Sequence, residues 1–126
     1  MHENTLVFTK DTQAIIAGEE EEMLPWREDN VKDHSWEIFW DYFVAESHRP
    51  YKLKSNDTID TLPKWAKPDN LHSFIDTYDK VGKSREYWVD GECHSRDDEE
   101  FVKLFEKQLE SAKKDGLSVV LVDIHS

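Results

Sequence analysis

The run from Leu117 to Ile124, Leu-Ser-Val-Val-Leu-Val-Asp-Ile, constrains the fold more than any other segment. A strand this continuously apolar must be covered on both faces, as strands inside a parallel sheet usually are. A helix pattern leads into it, because Phe101, Leu104, Phe105, Leu109 and Ala112 recur at helical spacing. Ser95 with Asp98 three residues on has the form of a capping box. Lys113 and Lys114 sit where a helix end favours positive charge, and Gly116 suits the C-terminal cap. Upstream, Glu86-Tyr87-Trp88-Val89 reads as a strand, which Asp90-Gly91 either turns into a hairpin or, more simply, ends. Strand, long helix and strand in series make a βαβ unit. Thr5 to Thr9, rich in branched and aromatic residues, adds another strand.

Two further helices are predicted. Trp36, Phe39, Trp40, Phe43 and Val44 fall at i, i+3, i+4, i+7 and i+8, with Asp33 or Ser35 as N-cap. Leu71, Phe74, Ile75 and Tyr78 follow Pro68 in a pattern that runs to about Lys80, with Gly82 just beyond. Between these lies an irregular connection over residues 47–67, which Tyr51, Leu53, Ile59, Leu62 and Trp65 are expected to tie to the core. Near the start, Ala14 to Ala17 is a short apolar patch, Glu19 to Glu22 a solvated surface or helix start, and Pro25 a break. The expected architecture is a single α/β domain over residues 1–126, with a small, mainly parallel three-stranded sheet covered by about three helices. With 126 residues there is room for one core.

Charge narrows the possible partners. The formal net charge is -12, and the surplus is uneven: residues 1–50 hold 12 acids and 4 bases, 51–83 hold 5 and 6, and 84–126 hold 11 and 6. Such a balance repels nucleic-acid phosphates and attracts basic surfaces within about a Debye length. Direct nucleic-acid binding is therefore not expected. The lone Cys93 offers neither an internal disulfide nor a CxxC site, which suits a reducing compartment. The first residues lack a basic leader with an apolar core, and no stretch approaches a membrane span, so the cytoplasm is the expected location and no membrane partner is expected.

Chemistry is sparse. His2, His34, His48, His72, His94 and His125 form no HxxxH, HExxH or ExxH pattern, so neither a metal nor another cofactor is expected. The 4 glycines build no phosphate-cradling loop, and no GxSxG elbow is present. Glu92-Cys93-His94 gathers a thiol, an imidazole and a carboxylate, but adjacent residues on a strand point to opposite faces. The chain reads as a binding protein rather than an enzyme.

The segment Trp36 to Phe43, Trp-Glu-Ile-Phe-Trp-Asp-Tyr-Phe, and again Phe101 to Ile124, resemble the barstar family of intracellular ribonuclease inhibitors and related toxin-immunity proteins. Trp36 to Phe43 is similar to that family's inhibitory helix, in which acids flank a tryptophan, and the matching positions are Glu37, Trp40 and Asp41. Phe101 to Ile124 is similar to its final helix, Gly turn and closing strand. The resemblance implies a three-stranded parallel sheet and a helix that inserts carboxylates into a nuclease active site. The match departs at Asp11 to Ser35, which lacks a recognisable first helix, and at the long connection after Ser47. The expected function is inhibition of a basic toxin, most directly a nuclease, through Asp33, Glu37, Trp40, Asp41 and Glu46. Trp40 shares the stripe of Phe39 and Phe43, a placement that reads as core ahead of partner contact. The alternative is a general acidic interaction or regulatory module whose contact surface is the Tyr51 to Trp65 connection.

Overall fold

The computed structural model describes residues 2–30, 40–45, 49–78, 87–88 and 99–125. The elements in chain order are β1 (His2–Thr9), α1 (Thr12–Ile16), a 3-10 turn (Glu21–Trp26), β2 (Tyr42–Ala45), β3 (Tyr51–Lys52), three short 3-10 turns (Ile59–Thr61, Lys64–Ala66, Pro68–Asn70), β4 (Ser73–Asp76), β5 (Tyr87–Trp88), α2 (Glu99–Asp115) and β6 (Ser118–His125).

The strands form one sheet in the order β2-β6-β1-β4-β5, with β3 also paired to β6. This corrects the expected three-stranded, mainly parallel sheet of barstar type. Among the paired strands of the described residues, β1 and β4 alone are parallel; β6 is antiparallel to β1, β2 and β3, and β5 to β4. The physical reason is that an apolar run reports coverage of both faces, not strand direction. Val119 points to one side, while Val120, Val122 and Ile124 point to the other. One part of the βαβ expectation survives: those pairings make β5 and β6 point the same way, with β4 and β1 between them, so α2 joins strands of like direction.

The two faces carry separate cores. On one, Leu6, Phe8, Phe74 and Val119 meet Phe101, Phe105, Leu109 and Ala112 of α2. Leu53, Leu62, Ala66 and Leu71, from the connection and its 3-10 turns, close that side. On the other, Val7, Ile75, Val120, Val122 and Ile124 meet Ile15 of α1 and Met23, Trp26, Trp40 and Phe43. Burying each of these large apolar side chains contributes about 1.5–3 kcal/mol. The helix cover consists of the long α2, the five-residue α1 and 3-10 turns.

Two predicted helices are corrected. The helix expected from Pro68 to about Lys80 is not formed over residues 68–78: Pro68–Asn70 is a single 3-10 turn, and β4 follows. All four residues of β4 are buried, so its apolar spacing imitates a helix stripe. The predicted helix from Trp36 is also not found where the structure describes it. Trp40 forms a parallel bridge with Arg27, and Tyr42–Ala45 is the edge strand β2. There Tyr42 and Val44 face outward and Phe43 inward, the two-residue period of a half-buried strand. Residues 36–39, like the predicted cap pair Ser95 and Asp98, lie outside the described residues.

Candidate functional site

The chain from Glu19 to Asn30 follows α1 and is packed down by its apolar members. Met23 and Trp26 are buried, and the carboxylate-bearing Glu19, Glu20, Glu21, Glu28 and Asp29 are exposed. Trp40 pins this segment to the sheet. Its indole Nε1 donates to the Met23 carbonyl at 2.8 Å, its backbone N–H to the Trp26 carbonyl at 3.0 Å, and its own carbonyl accepts from Glu28 N–H at 2.8 Å. The ring stands edge-on to Phe43 at 5.1 Å and is fully buried. Trp40 is thus a core residue, and its assignment as a partner contact is corrected accordingly.

Arg27 is the one base within residues 19–30. Its guanidinium pairs with Glu20 at 2.8 Å and lies 3.8 Å from Asp29, and it also sits 5.8 Å from the centre of a Trp40 ring. One positive charge is therefore shared among carboxylates that outnumber it. The parallel bridge between Arg27 and Trp40 is followed by Glu28 on one segment and Asp41 on the other, so their backbones are neighbours, while the Asp41 carboxylate turns to His125 of β6.

Asp41 is exposed and precedes β2. Its backbone N–H donates to the His125 carbonyl at 2.8 Å, and its carboxylate lies 2.7 Å from His125 Nδ1. That side-chain hydrogen bond holds the Asp41 carboxyl below the usual carboxylate range. Of the other predicted contact residues, Asp33, Glu37 and Glu46 lie outside the described residues. The same holds for Cys93 and His94.

A second cluster surrounds His125. His2 and His125 are cross-strand partners of β1 and β6, with ring centres 4.9 Å apart. Tyr42 stacks on His125 at 4.5 Å and meets His2 edge-on at 6.4 Å. His2 Nδ1 lies 2.9 Å from the Asp123 carboxylate, so two imidazole–carboxylate pairs stand side by side. Sequence reasoning missed this group, since its members come from opposite ends of the chain. The only available signal was the pairing of the first and last strands, whose register sets His2 opposite His125. Among the described residues, no three His, Cys, Asp or Glu side chains are grouped to hold a metal ion.

The connection after Pro50 holds no comparable site among the described residues. Leu53 and Leu62 are buried, and Tyr51, Ile59 and Trp65 pack against the α2 core, as the sequence predicts. Asp57 organises the connection: its carboxylate accepts from Tyr51 Oη at 3.0 Å, Lys54 N–H at 2.7 Å and Thr61 Oγ1 at 2.8 Å. Lys113 Nζ ties the Asp57 carbonyl to α2 at 2.8 Å. Among the described residues, no helix is long and apolar enough to cross a membrane. Comparison with protein-family models, curated proteins and solved structures finds no match.

Proposed function

We propose that this protein is an acidic inhibitor that binds a basic protein toxin, most directly a nuclease, and blocks it with surface carboxylates. The observation that carries the reading is the Trp40-pinned segment, which displays Glu19, Glu20, Glu21, Glu28 and Asp29 with Arg27 as its one base, while Asp41 stands just past its bridge and is paired with His125. A nuclease cleft is built from cationic groups that receive phosphate. An array of carboxylates on a packed-down segment can imitate that phosphate and speed encounter by long-range attraction.

Support for the reading comes from charge placement rather than from the resemblance to barstar, whose implied three-stranded parallel sheet is not the sheet this chain forms. Asp33, Glu37 and Glu46 belong to the proposal on sequence grounds alone. No catalytic role and no cofactor enter it. The alternative contact surface, Tyr51 to Trp65, is disfavoured because its apolar side chains are engaged with the core.

The test is capture of partners from source-cell lysate on immobilised wild-type protein and on a Glu21→Lys, Glu28→Lys, Asp41→Lys variant, eluted with a salt gradient. The expected result is a basic protein retained by wild type and lost from the variant. Equal retention of the same proteins on both would overturn the assignment of this face.

A further inference from the structure

We propose that His2 and His125 form a two-imidazole site for a divalent transition-metal ion of the copper or zinc kind, which shares Asp41 with the proposed inhibitory face but does not rest on that function. The two residues are directly opposed in the β1–β6 register, with ring centres 4.9 Å apart and planes inclined by 67°. Each ring has one nitrogen already committed. His2 Nδ1 is 2.9 Å from Asp123 Oδ2, and His125 Nδ1 is 2.7 Å from Asp41 Oδ1.

An ionised carboxylate can only accept a hydrogen bond, so each Nδ1 carries a proton and Nε2 is the nitrogen left to bind an ion. This is how metal-binding imidazoles are commonly held: the second nitrogen donates to a carboxylate, which fixes tautomer and orientation and raises the basicity of the ligating nitrogen. Among the described residues, no hydrogen bond engages Nε2 of either ring. Tyr42, stacked on His125 with an interplanar angle of 11°, restrains that ring further. The carboxylates of Asp41 and Asp123 place negative charge behind both ligands, and Asp123 Oδ1 is itself buried without a hydrogen-bond partner among the described residues.

A bound ion would bridge the first and last strands through two nitrogens. Water or an outside ligand would fill its remaining positions, because no third ligand from the described residues is grouped with them. Two imidazoles favour Cu²⁺, Ni²⁺ or Zn²⁺ over the oxygen-seeking Mg²⁺ and Ca²⁺, and copper should bind more tightly than zinc.

The experiment uses the full chain without an added histidine tag. It is titrated calorimetrically with CuCl₂, ZnCl₂ and MgCl₂, and the copper form is examined by electron paramagnetic resonance. The expected result is one equivalent of Cu²⁺ with coupling to two nitrogens, weaker Zn²⁺ binding, no Mg²⁺ binding, and at least a tenfold loss of copper affinity in both His2→Gln and His125→Gln. The His2 side chain is 58% exposed, so His2→Gln should keep the wild-type melting temperature and decides the matter alone if His125→Gln fails to fold. No copper uptake by wild type, or copper binding unchanged in His2→Gln, would overturn the proposal.

Discussion

At the residue scale, Trp40 and Asp57 each hold a stretch of irregular backbone in place. Trp40 has a fully buried ring and three hydrogen bonds to residues 23–28. Trp40→Phe removes the indole donor and leaves the Met23 carbonyl without it, at a cost of about 1–3 kcal/mol. Urea denaturation should show that loss, while the folded variant keeps its partner binding, as expected of a core residue. Asp57 is governed by competing effects. Burial pushes its carboxyl up, but hydrogen bonds from Lys54 N–H, the Thr61 hydroxyl and the Tyr51 hydroxyl outweigh burial and hold it below the usual range. A carboxyl lowered by folding contributes stability that is complete above its unfolded value, about 3.9, and disappears as pH falls through the folded value. Asp57→Asn should therefore be less stable than wild type at pH 7 by about 1–3 kcal/mol. The gap should narrow in denaturation curves taken progressively below pH 4.

At the scale of elements, α2 and β6 were the most legible parts of the sequence, because local chemistry and tertiary packing demand the same thing there. Helix α2 ends as Gly116 predicts. Gly116 adopts φ +68, its N–H bonds the Lys113 carbonyl at 3.2 Å, and Leu117 N–H bonds the Ala112 carbonyl at 3.0 Å. This paired closure needs a left-handed residue, so Gly116→Ala should cost about 1 kcal/mol, read as a lower thermal midpoint with unchanged helix content. Strand β1 was equally readable. Strands β2 and β4 were not, and for different reasons. Ser73–Asp76 is buried on both faces, so Phe74 and Ile75 are adjacent apolar residues that fit a helix stripe as well as a strand. Around Trp40, aromatic residues that serve a bridge and an edge strand fall by coincidence at helical intervals. Of the candidate site, Asp41 was legible as an exposed acid. The His2–Asp123 and His125–Asp41 pairs depend on strand register, which no local spacing reveals.

At the scale of the whole molecule, the net charge of -12 is expected to act through its placement. The α2 face is closed by its own 3-10 turns, and the opposite face carries the acid-bearing segment packed down by Met23, Trp26 and Trp40. Binding steered by such a field should weaken as salt screens it, so the association rate with a basic partner should fall more steeply than the dissociation rate rises between low and physiological ionic strength. Stopped-flow mixing at several salt concentrations would show this. Inhibition itself is tested by titrating the captured basic partner with this protein while following the partner's own nuclease or toxic activity. That activity should fall to background at one equivalent and be spared by the Glu21→Lys, Glu28→Lys, Asp41→Lys variant. A partner that stays fully active while saturated with wild-type protein would show that these carboxylates do not inhibit it.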